Sequence, residues 1–199
     1  MNGLFLFERF FEGAKMRAAT TRVATTVFAV IALYSPLLRA EMKVGDKAEL
    51  SGKSAVGEKL DISQFEGKIV LVDFWATWCE TCMEEAPHMV ELNKKWSSEG
   101  LQMLGVSLDK DAAKMIAVAK EKGFDWPHIF PGEGWKSPQP QAWGVEKIPT
   151  TFLIGPEGKV LWIGSPEKGL DEAIAKAFRE HPPMRVKPKA LPVIDGKKN

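Results

Sequence analysis

The stretch Val70–Cys82, read Val-Leu-Val-Asp-Phe-Trp-Ala-Thr-Trp-Cys-Glu-Thr-Cys, constrains this chain more than any other. An apolar, β-branched run stops at a Cys-x-x-Cys, and an amphipathic, acid-started segment follows at once. Such a run predicts a strand buried on both faces, as in the middle of a parallel sheet. The order then places Cys79 where the strand hands over to the first turn of a helix. Free backbone N–H groups and the positive end of the helix dipole gather there, and both favour a thiolate over a thiol. Cys79 and Cys82 are the only cysteines in the chain. Their spacing allows a disulfide to close within one helical turn.

Composition narrows the function classes. A chain of 199 residues, 45% of them hydrophobic, can bury one good core plus some appendage. Lys and Arg number 27 against 26 Asp and Glu, a net charge of +1 that provides no one-sign field for gripping nucleic acid. Two cysteines exclude both a multi-disulfide scaffold and a four-cysteine zinc site. The three histidines, His88, His128 and His181, include no His-x3–5-His pair, so no metal site is expected. His88 and His128 are read as ordinary polar residues.

Residues 1–40 look like an address rather than a fold. Lys15, Arg17 and Arg22 precede an apolar run from Val23 to Leu38, and Ala40 stands before the charged Glu41. A basic start, an apolar centre and a small residue describe a secretory signal. The run is short for a span, which needs about 20 apolar residues. Leu38 fits the small-x-small rule for cleavage poorly, so an uncleaved membrane anchor through residues 23–38 stays open beside a cleaved signal. Met16 opens a more ordinary version of the same signal than Met1 does. Both versions place residues 41–199 outside the cytoplasm, in a periplasm or an equivalent compartment.

From Gly45 to Phe65 the chain reads as short strands around turns, with Ala48–Ser51 and Glu58–Ile62 alternating polar and apolar. Ile69–Phe74 is the buried strand. The helix after it runs from about Glu80 to Ser98, with Met89, Leu92 and Trp96 on one face, Pro87 inside and Gly100 at its end. Leu101–Leu108 is a second strand. Asp109 or Asp111 caps a helix that carries Ala112, Met115, Ile116 and Ala119 and stops at Gly123. Strand, helix, strand, helix at this spacing predicts a right-handed crossover and a parallel core. Pro131–Pro140 is too polar and broken for regular structure. Phe152–Ile154 and Lys159–Ile163 flank Gly155-Pro156-Glu157-Gly158, which predicts an antiparallel hairpin. Leu170–Phe178 is a last amphipathic helix, stopped by Pro182 and Pro183, and residues 183–199 form a loose basic tail.

Trp78-Cys79-x-x-Cys82 after Val-Asp-Phe-Trp-Ala, Pro87 five positions past the second cysteine, and Ile148-Pro149-Thr150 together resemble the thioredoxin superfamily. The order of these pieces, with Gly155-Pro156-Glu157-Gly158-Lys159 after them, resembles more narrowly the exported, TlpA/ResA-like thiol–disulfide oxidoreductases. The resemblance covers roughly Gly45 to Glu180. It implies a thioredoxin-like α/β fold over residues 41–182: a central mixed sheet flanked by helices, with extra β structure before it. Beyond the redox-active Cys79–Cys82 pair no cofactor is implied.

The residues and the resemblance assign the site jointly. Cys79, at the helix start and expected to face outward, is the nucleophile; Cys82, one turn deeper, resolves the mixed disulfide. A bridge closing so few residues constrains the unfolded chain little, so stability alone is a weak reason to keep it. By resemblance, Pro149 follows a cis peptide bond beside the cysteines and, with Ile148, Thr150 and Trp78, meets substrate. Trp75 is read as core packing. Asp73, a charge inside an apolar strand, is costly unless paired or functional. It falls where thioredoxins keep a buried aspartate that accepts the proton of the resolving cysteine. Glu85 matches a glutamate that ResA-like proteins place near their cysteines, and which of the two carboxylates serves stays open. Glu80 and Thr81, between the cysteines, tune the pair. The carboxylate of Glu80 opposes a neighbouring thiolate, which predicts a less acidic Cys79 and a more reducing disulfide than in strong oxidants of this fold.

The expected function is an exported reductase of protein disulfides. The resemblance implies a membrane dithiol donor as a partner and cytochrome c maturation as one destination. Two other classes would need signatures of their own. A thiol peroxidase would need the Thr-x-x-Cys context of peroxiredoxins, absent around Cys79; a copper chaperone would want Cys-x-x-x-Cys and a matched distal histidine.

Overall fold

The computed structural model describes residues 41–182, so the signal or anchor expected at 1–40 and the tail at 183–199 lie outside the described residues. The organising strand is β3, Ile69–Trp75, in which every residue is buried. Successive side chains point to opposite faces of the sheet, so burial of all seven means that both faces are covered. It pairs in parallel with β4, Leu101–Ser107, from Ile69 opposite Leu101 to Trp75 opposite Ser107. On its other edge it pairs antiparallel with β6, Thr150–Ile154. The two-residue β5, His128–Ile129, adds in parallel beyond β4, and β7, Val160–Gly164, adds antiparallel beyond β6. The sheet order is thus β5-β4-β3-β6-β7, a mixed sheet with β3 at its centre.

Helix α1, Glu80–Trp96, connects β3 to β4, and α2, Ala112–Lys122, connects β4 to β5. Asp111 caps α2 by accepting the Lys114 N–H at 3.0 Å, which resolves the choice of cap left by Asp109 and Asp111. After α1 a short 3-10 turn at Ser97–Glu99 ends at Gly100, whose φ of 110° suits glycine far better than residues with a side chain. Helix α4, Leu170–Glu180, buries Leu170, Ile174 and Ala177. It meets the end of α1 where Trp96 and Phe178 stack at 4.8 Å. The hairpin between β6 and β7 closes as expected. The Gly155 N–H bonds the Lys159 carbonyl and the Gly158 N–H bonds the Gly155 carbonyl, each at 2.8 Å.

Two expectations are corrected. The alternation predicts a strand at Ala48–Ser51, whereas the small two-stranded sheet pairs β1, Ser51–Lys53, with β2, Lys59–Asp61. The preceding residues are already occupied: Gly45, Asp46 and Ala48 exchange backbone hydrogen bonds with Val160 and Gly158 along the edge of β7. The segment 131–140, read as irregular, holds a 3-10 turn at Gly134–Lys136 and the helix α3, Pro138–Ala142. Its prolines do not forbid this. A first-turn residue has no intrahelical acceptor for its N–H, so Pro138 at the first position loses nothing. Trp143 then anchors the segment. It is 1% exposed, packs edge-on to Phe152 at 4.7 Å, and donates its indole N–H to the Glu49 carbonyl at 3.0 Å.

Candidate active site

The cysteines sit where the sequence placed them. Cys79 is the N-cap of α1 and joins Cys82 in a disulfide with Cα atoms 5.2 Å apart. The Cys82 N–H points at Cys79 Sγ from 3.1 Å, a donor that would stabilise charge on that sulfur once the bond is reduced. Exposure does not separate the two: Cys79 is 6% exposed and Cys82 5%. The expectation that Cys79 faces outward is therefore corrected: in the disulfide it is buried. What distinguishes Cys79 is the N–H aimed at it.

The turn that delivers Cys79 is held by Asp109. This carboxylate is 3% exposed, and its oxygens accept the Thr77 N–H at 3.0 and 3.2 Å, the Thr77 hydroxyl at 2.7 Å and the Ser107 hydroxyl at 2.8 Å. A buried charge is tolerable when several donors meet it. Sequence reading offered Asp109 only as a helix cap; its grip on Thr77 depends on how β4 ends beside β3.

Asp73 is buried among apolar neighbours and receives one side-chain hydrogen bond, from the Thr151 hydroxyl at 3.1 Å. Burial raises its pKa from 3.8 to about 7, with the Thr151 bond working the other way. Glu85 lies on the surface side. It lines a groove of about 400 Å³ with Thr81, Ile148 and Pro149, and the Ile148–Pro149 peptide bond is cis. Thr150 donates its hydroxyl to the Lys147 carbonyl at 2.7 Å, tightening the turn that carries Pro149. Glu80 is the acidic residue of the first turn of α1, and the Thr81 hydroxyl lies 3.5 Å from Cys79 Sγ. Trp78 is 53% exposed and shares a second groove, about 520 Å³, with Trp135 of the segment read as irregular. A larger cavity of about 680 Å³, lined by Leu50, Ile62, Phe65 and Val70, contains none of these residues and sits by the opposite end of β3.

A family model, AhpC/TSA, matches residues 44–163. The chain belongs to the AhpC/TSA family. Among relatives, it is 30% identical over 145 residues to the thiol–disulfide oxidoreductase ResA of Oceanobacillus iheyensis, covering 69% of this chain and 72% of that protein. It is 33% identical over 105 residues to the ResA of Bacillus subtilis, covering 53% of this chain. The chain spans only 57% of the length of that Bacillus relative. A solved thiol–disulfide oxidoreductase from Bacteroides fragilis superposes with a TM-score of 0.62 at 27% identity, over 67% of this chain and 98% of the other. The thioredoxin-like architecture expected from the sequence is thus that of the solved relatives.

Within this family member the histidines depart from their expected roles. His128 is wholly buried, and its Nδ1 accepts the Trp75 indole N–H at 3.2 Å. Burial pushes its pKa from 6.5 down to about 3, against a smaller opposing effect of the Phe124 backbone. It is a neutral core residue, admitted because position 105 is glycine: a Cβ there would stand 2.0 Å from His128 Nδ1. His88 is also no bystander. Its Nδ1 lies 3.1 Å from Glu85 Oε2 and its Nε2 lies 2.8 Å from Asp171 Oδ2. The Glu85–His88 spacing, one helical turn, was legible; the approach of Asp171 from α4 was not.

Proposed function

We propose that this protein is a thiol–disulfide oxidoreductase that works outside the cytoplasm and reduces protein disulfides through Cys79 and Cys82. One observation carries the reading. The two thiols share the first turn of a helix that starts from a central strand, with a backbone N–H directed at the N-terminal sulfur. In the reduced protein the Cys79 thiolate attacks one sulfur of the substrate disulfide. That bond breaks, one substrate thiolate departs, and Cys79 holds the other half as a mixed disulfide. Cys82 then attacks Cys79 Sγ, the Cys79–Cys82 bond forms, and the second substrate thiolate leaves with the electron pair. Two electrons pass from dithiol to substrate in all.

Asp73 takes up the proton of Cys82 as that thiol becomes nucleophilic; a carboxyl titrating at about 7 is matched to such transfer near neutral pH. Glu85, in the groove with Thr81 and Pro149, serves protons to the departing substrate thiolate. Trp78, Ile148, Pro149 and Thr150 receive the substrate chain. Export by residues 1–40, re-reduction by a membrane dithiol protein and a place in cytochrome c maturation complete the proposal, on the strength of the ResA likeness.

Trapping tests it. A Cys82→Ser variant should accumulate mixed disulfides on Cys79, cleaved by dithiothreitol, whereas Cys79→Ser should capture nothing. Recovering no adduct from Cys82→Ser would remove the protein-disulfide reading. Oxidation of the reduced protein by hydrogen peroxide faster than by a peptide disulfide would favour a peroxidase instead.

A further inference from the structure

Helix α1 presents Glu85 and His88 one turn apart, and α4 brings Asp171 to the far side of the same imidazole. The three groups form a line: a carboxylate in the groove beside Pro149, a ring hydrogen-bonded through both nitrogens, and a carboxylate open to water. The side chains are 24%, 32% and 55% exposed in that order, so the line runs from the groove outward to solvent. Nothing in the exchange chemistry above uses His88 or Asp171.

We infer that His88 is a positioning residue for disulfide exchange, which fixes the Glu85 carboxylate in the groove and supplies it with a proton, while Asp171 holds the far nitrogen of the ring. The inference rests on the proton role given to Glu85. During resolution the Cys79–Cys82 bond forms, the bond from Cys79 to substrate breaks, and the electron pair leaves on the substrate sulfur. The proton that this sulfur takes up passes from His88 Nδ1 through Glu85. The ring, left neutral with its remaining proton on Nε2 facing Asp171, takes a proton from water at the vacant Nδ1, and Asp171 stabilises the charge so restored.

Charge supports the geometry. Burial lowers the affinity of His88 for a proton, but its hydrogen bonds to Asp171 and Glu85, and their charges, outweigh that and raise its pKa above the usual 6.5. The ring therefore keeps both N–H donors to a higher pH than a free histidine does. The other charged groups around the groove are Glu84 on α1, Lys147 before β6, and Glu167 and Lys168 after β7. Among the described residues none of these is ion-paired with His88, so the two carboxylates set its state.

The experiment follows single-turnover reduction of a quenched peptide disulfide by the reduced full chain from about pH 5 to 9. Four variants are compared with the parent: Glu85→Gln, His88→Gln, Asp171→Asn and the Glu85→Gln/His88→Gln double variant. The parent rate should fall on the alkaline side as the imidazole loses its proton. His88→Gln should lose that limb and run about tenfold slower near neutrality. The double variant should be no slower than Glu85→Gln alone, because both act on one path. Asp171→Asn, at an exposed position where folding is not at risk, should shift the profile in the same direction by a smaller factor.

An alkaline limb that persists in His88→Gln, or losses that multiply in the double variant, would overturn the inference. If Glu85→Gln reduces the peptide at the parent rate, this inference and the proton role of Glu85 both fall, while the reductase reading stands. If the parent itself reduces no peptide disulfide, the reductase reading falls and takes the inference with it.

Discussion

Asp73 and His128 are both buried ionisable side chains, and burial drives their pKa values in opposite directions. Asp73 holds its proton to about pH 7 in the fold but only to 3.8 when unfolded. Its contribution to stability is complete below 3.8 and is lost as pH climbs to about 7. His128 stays neutral down to about 3 in the fold but takes a proton at 6.5 when unfolded. Its contribution is complete above 6.5 and is lost as pH falls toward 3. Each slope is about 1.4 kcal/mol per pH unit, and the two oppose one another between 3.8 and 6.5. Stability of the parent should therefore be nearly flat over that window. Asp73→Asn should unmask the histidine: the variant weakens steadily with acid, yet at pH 8 it exceeds the parent by roughly 4 kcal/mol. His128→Gln, which can still accept the Trp75 N–H, should weaken as pH rises. Urea unfolding across the pH range checks this, and three parallel curves would refute it. At this scale the sequence announced Asp73, because a charge in an apolar strand stands out. It said nothing of His128, since a histidine beside apolar residues reads the same whether its ring turns in or out.

At the scale of elements, the first turn of α1 sets the redox character. Glu80 favours the helix by lying near its positive end, but the same charge opposes a thiolate on Cys79. The reduced form loses by this, so the disulfide should be more reducing than the about −120 mV of a strong oxidant. Glu80→Gln should raise the potential by roughly 10–20 mV, the equivalent of a surface helix-end charge. Equilibration with glutathione buffers, read by thiol alkylation, measures both. A parent potential near −120 mV, or a variant that becomes more reducing, would contradict the account. The strand-to-helix junction and the caps were legible because their causes lie within a few residues. The helix Pro138–Ala142 was not. Its prolines argue locally against order, and what fixes the segment comes from outside it: Gln139 donates to the Ser51 carbonyl at 2.9 Å and Trp143 to that of Glu49.

Over the whole molecule, Trp143 ties the segment between β5 and β6 to the N-terminal residues and to the core beneath β3. Its ring meets both Phe74 and Phe152, and its N–H donates to the Glu49 carbonyl. Trp143→Ala should cost about 3–5 kcal/mol and lower the midpoint of thermal unfolding by roughly 10 °C or more. A fall of less than about 3 °C in calorimetry would mean that the segment is not integral to the fold. By itself the sequence determined the central buried strand, the cysteines at a helix start, the closing hairpin and the family to which such an order belongs, because each is written in near-neighbour periodicity and turn chemistry. Only the tertiary structure decided which polar groups meet. Asp109 reaches Thr77 across 32 residues, Trp75 finds His128 across 53, and His88 finds Asp171 across 83. Those meetings follow from strand register and from how helices lie on the sheet. Both are properties of packed layers, which no local window of residues contains.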